Sequence, residues 1–126
     1  MLDLNDGFSA YKSTSVDAKA ASADIHKLVL MLFDGFSDEL EKVTGHIKQK
    51  RYDKKAESIE KLMRILGGLE ASLDLEKGGE VAQNMQNLYQ HCGQALLQAS
   101  MKNDLSYIDS TRVVMTNFQE GWQGLG

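Results

Sequence analysis

Apolar residues recur along this chain in steps of three and four, and no stretch shows a convincing alternation of period two. That spacing lays a single stripe along a helix, so the chain reads as all-α. The first stripe is Ile25, Leu28, Leu32 and Phe36, continued by Leu40, Val43 and Ile47. Ser22 is placed to cap it and Asp24 suits its positive end, which predicts a helix over about 23–49. Between Leu28 and Phe33 every residue is apolar, so this helix is greasy on more than one face. Flanking helices on two sides are the simplest account of that surplus.

A second helix is predicted from a cap at Asp53 to about Glu76. Its inward set is Ala56, Ile59, Leu62, Met63, Leu66, Leu69 and Leu73, with Ile65 beside it. Gly67-Gly68 in its middle costs about 1 kcal/mol per glycine against alanine. Either a close helix approach or a slight kink would account for the pair. The pattern then stops at Lys77-Gly78-Gly79 and restarts at Glu80, since glycine supplies a left-handed stop without a Cβ clash. The third helix, about 80–101, carries Val81, Met85, Leu88, Cys92, Ala95 and Ala99 as a seam, with Ala82, Tyr89 and Leu96 as a second row. Asn103-Asp104 breaks the chain before a fourth helix, about 105–121, with Leu105, Ile108, Thr111, Met115, Phe118 and Trp122 in phase. Short connections make consecutive helices antiparallel neighbours. The expected architecture is an antiparallel up-down-up-down four-helix bundle over 22–126, preceded by an N-terminal arm over 1–21.

Composition adds one structural point. There is no proline among 126 residues, which favours long uninterrupted helices. The formal charge of −4 argues against a nucleic-acid partner. His46, Lys48, Lys50, Arg51, Lys54 and Lys55 do cluster, but cations suit a helix C-terminus and the last of them are read as a solvated turn. One cysteine, Cys92, forms no intrachain disulfide, and acids replace the bases of a signal peptide at residues 1–6. The longest apolar run is far short of a membrane span, so a cytoplasmic protein without membrane insertion is expected.

Catalytic and metal patterns are absent from the sequence. No Glu has a His three residues later, and His26, His46 and His91 fall on three separate helices. Cys92 sits in the seam phase, where a thiol packs as a small hydrophobe. No phosphate-binding loop occurs. The alternative from another class is a histidine phosphotransfer bundle, but neither His26 nor His46 is followed by the H-x-x-K-G pattern. No enzyme and no cofactor are expected. Surplus apolar residues, and five methionines beyond the initiator, instead suit grooves that receive a partner helix.

At this point the sequence resembles the flagellin export chaperones (FliS). Ala10-Tyr11 and Val16 in the arm, Leu30-Met31-Leu32-Phe33-Asp34-Gly35, and Trp122 near the end match family patterns. The central stretch is the most specific: Ser72-Leu73-Asp74, Glu76, Gly78-Gly79-Glu80, Ala82, Asn84 and Leu88-Tyr89. Ala23 stands where the family usually has proline, and Phe33 replaces its usual tyrosine. The resemblance implies a non-enzymatic cytoplasmic chaperone that holds the disordered C-terminal segment of flagellin until export. It also implies that Phe8, Tyr11 and Val16 form a removable plug. Leu73, Leu75, Asn84, Met85, Leu88 and Tyr89, with Phe33, are then the expected partner contacts. Further partners in keeping with it are the export gate's cytoplasmic domain, an anti-sigma factor or a co-chaperone.

Overall fold

Four helices, α1 (Ala18–Lys48), α2 (Tyr52–Ala71), α3 (Leu75–Lys102) and α4 (Leu105–Leu125), make up the computed structural model. It describes the backbone of residues 18–125, and the side chains from residue 24 onward except 75–77 and 125. Among the described residues there is no strand. Each helix packs on the next in sequence and α1 closes the ring against α4. That is the antiparallel four-helix bundle the apolar spacing predicts.

The turns follow from local chemistry. At residues 49–51 Lys50 takes a positive φ of 58°, and Arg51 N donates to His46 O at 2.8 Å. Asn103 takes φ 51° between α3 and α4, and Asp104 Oδ1 accepts from Ser106 N at 2.9 Å to cap α4. The central reversal differs from expectation. It falls at residues 72–74, not at Gly78-Gly79. Ser72 Oγ donates to Leu69 O at 2.6 Å, and Leu73 N bonds Glu70 O at 3.1 Å, tightening the last turn of α2. Gly79 still interrupts α3, with φ 54° and ψ −131°. The glycine pair is thus a kink one turn beyond the reversal.

Other boundaries also move. The backbone is already helical at Ala18, so Ser22 lies within α1 and does not cap it. Arg51 occupies the N-cap of α2 without a side-chain cap bond, and Asp53 sits in the first turn. Residues 1–17, and with them most of the predicted arm, lie outside the described residues.

The core shows which apolar rows point inward. In α1 it is Val29, Phe33, Phe36, Leu40, Val43 and Ile47, strictly alternating steps of four and three. Leu28 and Leu32, expected there, are half-buried flanks. In α3 the buried row is Ala82, Tyr89, Cys92, Leu96 and Ala99, while Val81 and Leu88 of the expected seam face out. Tyr89 packs its ring against Phe118 at 5.2 Å, filling space that a leucine would leave open. In α2 Ala56 is exposed and Lys55 and Ser58 are buried instead. Of the two glycines there, a Cβ at Gly67 would meet nothing, so no close approach explains it. The tight α2–α3 contact is at Gly93, where a Cβ would lie 3.3 Å from Met63 Cε.

Candidate functional site: an apolar cavity at the central hairpin

The α2–α3 reversal, the start of α1 and the end of α4 meet at one end of the bundle. Between them opens a cavity of about 320 Å³. Leu73 and its neighbours Ser72 and Asp74 form one side, and Gly78, Val81, Ala82, Met85 and Tyr89 the α3 side. Val29 of α1 and Trp122 of α4 complete it. Its lining is mostly carbon. The kink at Gly79 falls within the α3 side of this wall, between Gly78 and Val81. A Cβ on Gly78 would come within 2.6 Å of Ala82 Cβ, so the cavity wall is built on a glycine contact.

Trp122 is fixed from both ends. Its Nε1 donates to His26 O at 3.0 Å, and His26 Nε2 donates to Trp122 O at 2.8 Å. The two rings stack at 5.1 Å. These contacts hold the rim where α1 and α4 meet.

A second cavity, about 260 Å³, lies along the α2–α3 seam between Met63, Leu66, Gly67 and Leu97. Gln90 Nε2 donates to Glu70 Oε1 across its mouth at 3.0 Å. Tyr89 lines both cavities and is the partition between them. Burial, with Cys92 adding to it, pushes its phenol above the ordinary range, and burial pushes the Cys92 thiol up to about 11. Both therefore stay uncharged in the core at neutral pH. A third hollow sits on α1 beside Leu28 and the exposed Met31.

Of the expected contact residues, Leu73, Met85 and Tyr89 come together at the hairpin cavity. Leu88, 40% exposed, and the exposed Asn84 lie on the surface of α3 and do not line it. Phe33, 2% exposed, belongs to the core, out of reach of a partner laid on the surface. Phe8, Tyr11, Val16 and the Leu75 side chain lie outside the described residues. Val29, Val81, Ala82 and Trp122 were not among the expected contacts. The heptad run back from Ile47 through Phe33 to Val29 was the available signal for the first. Nothing local marks Val81, which is 69% exposed although it sits on a seam phase.

No group of three or more metal-ligating side chains occurs among the described residues. His26 is engaged with Trp122, and His46 Nδ1 accepts from Arg51 Nε at 3.1 Å. None of the described helices is long and apolar enough to cross a membrane. The fold defines an all-α bundle of four helices with apolar hollows open at its surface.

The model of the flagellar protein FliS family matches residues 7–126. The flagellar secretion chaperone FliS of Salmonella typhimurium is 37% identical over 93% of this chain and 87% of its own length. FliSB of Pseudomonas aeruginosa is 31% identical over 91% of each chain, and FliS of Escherichia coli 33% over 93% and 87%. The chain belongs to the FliS family, a family of flagellar secretion chaperones and not of enzymes.

Proposed function

We propose that this protein binds the disordered C-terminal segment of flagellin, keeps it from polymerising early and holds it ready for flagellar export. The observation that carries the reading is the hairpin cavity, an apolar hollow open at the surface beside the buried core. A disordered amphipathic segment that folds on binding recovers its ordering cost by burying on the order of 1,000–3,000 Å². Leu73, Met85, Val81 and Trp122 offer it apolar anchors, and Tyr89 separates that site from the α2–α3 seam. The arm residues Phe8, Tyr11 and Val16 remain part of this reading as a plug that the client displaces. Client delivery would then bring the loaded chaperone to the export gate.

Titration calorimetry with a flagellin C-terminal peptide should give micromolar or tighter binding and a negative heat-capacity change. Trp122 is the single tryptophan and walls the cavity, so its emission should shift on binding. Val81→Asp should weaken binding at least tenfold while leaving the bundle folded, because Val81 is already exposed. Absence of peptide binding by the unaltered protein rejects the reading.

A further inference from the structure

The charges of this protein are segregated. Residues 48–55 hold five of its fourteen lysines and arginines and one of its eighteen acids. The other nine cations face seventeen acids, so an acidic body carries one basic segment. The fold concentrates this further. Lys55 Nζ donates to Ser100 O at 2.6 Å and Asn103 Oδ1 at 2.7 Å, which brings the α1–α2 and α3–α4 turns together. Lys102 thereby joins Lys48, Lys50, Arg51 and Lys54 at one tip of the bundle.

Helix-end electrostatics does not consume these charges. α1 and α3 end at the tip, but α2 and α4 begin there, and their positive ends offset the two negative ones. Among the described residues none of Lys48, Lys50, Lys54 or Lys102 forms an ion pair. The acids facing them from the same turns are Asp53 and Asp104, with Glu57 one turn along α2. Asp104 accepts from Ser106 N and stays ionised, so three acids stand against these five cations and the tip is net positive. Tyr52 stands among these cations with 44% of its surface exposed.

We propose that this basic tip docks on an anionic phospholipid surface. Four lysines and one arginine match the composition of sites that meet acidic headgroups, where each cation contributes independently and no fixed fork is needed. An exposed tyrosine, with an apolar ring and polar hydroxyl, suits the headgroup layer. Helix α2 is 20 residues long, which sets the tip about 30 Å from the hairpin cavity at 1.5 Å per residue. A protein docked by this end keeps that cavity directed away from the surface. Docking of this kind is peripheral and reversible, with no segment inserted.

Vesicle sedimentation tests it with the full-length chain. Binding is expected to phosphatidylglycerol-rich vesicles and not to phosphatidylcholine vesicles, and it should fade as salt shortens the screening length from about 10 Å to about 3 Å. Removing one near-surface cation corresponds to about a fivefold loss, so Lys48→Gln with Lys54→Gln should weaken binding roughly 25-fold. Lys27→Gln with Lys61→Gln changes the net charge equally at exposed sites elsewhere, and should weaken it much less. Equal losses in the two variants, or no binding to anionic vesicles at low salt, overturn the proposal. So does binding of poly-glutamate through the same lysines without vesicle binding, which would give the tip to an acidic protein. The tip shares no residue with the hairpin cavity, so either result leaves the flagellin reading untouched.

Discussion

Trp122 and His26 hold each other reciprocally: each ring nitrogen donates to the other residue's backbone carbonyl, at 3.0 and 2.8 Å, and the rings stack. A carbonyl only accepts, so His26 Nε2 carries a hydrogen. The pair joins residues 96 apart in sequence and closes the rim of the cavity. Trp122→Phe keeps an aromatic ring and removes the indole donor, and should cost about 1 kcal/mol. His26→Ala should cost a similar amount. Because Trp122→Phe shrinks and His26→Ala removes the one stack they share, the double variant should lose less than the two together, which urea denaturation of the four proteins will measure.

Lys55 is only 7% exposed, and its ammonium bonds one of the last carbonyls of α3 and the turn residue Asn103. It thus caps α3 from a different helix. Lys55→Met preserves the stem and strands both acceptors, so a loss of about 2–3 kcal/mol is expected, seen as a lower urea midpoint at unchanged slope. An exposed lysine such as Lys61, changed the same way, should move the midpoint little.

Glu39 shows the opposite situation. Its Oε1 is buried without a hydrogen-bond partner, and Oε2 has only Lys42 at 3.6 Å. A buried carboxylate so poorly compensated costs more than it returns. Glu39→Met, of similar length, should raise stability by about 1 kcal/mol and the thermal midpoint by several degrees.

Cys92 gives the pH dependence. Burial pushes its thiol up to about 11, so above pH 9 the unfolded chain releases this proton while the native chain keeps it. Stability from this group is complete below pH 9 and is lost as pH rises toward 11. Tyr89, shifted in the same direction by burial, extends the decline beyond pH 10. Denaturation across this range should show a shallower decline for Cys92→Ala than for the unaltered protein. Alkylation of Cys92 should wait on opening of the bundle.

Much of the fold was legible because helix periodicity is local. A residue's phase depends only on its neighbours three and four positions away, so the four helices and the buried cysteine could be read directly, though not which of two adjacent rows in α1 and α3 faces inward. The family resemblance was equally readable, since its motifs lie in sequence order. Caps and turns were less so. Ser22 and Gly78-Gly79 have the right chemistry for ends, yet α1 passes through the first and the chain reverses ahead of the second. Ser72 could end α2 because its hydroxyl competes for the Leu69 carbonyl, a contact that competes with continued helix in any polar sequence.

What the sequence by itself determined was the helical class, the antiparallel order and the chaperone family, all properties of spacing and motif. Only the tertiary structure decided between equivalent rows. Val81–Met85–Leu88 and Ala82–Met85–Tyr89 both alternate steps of three and four, and the packing of Tyr89 against Phe118 selects the second. The same choice leaves Val81 outside and opens the cavity with Trp122, a residue from the far end of the chain. The physical reason is that periodicity fixes an angle around one helix axis, whereas burial depends on which neighbour stands at that angle and how far it reaches. The buried lysine and the basic tip follow from that same long-range geometry, since Lys55 and Lys102 meet only after the bundle has closed.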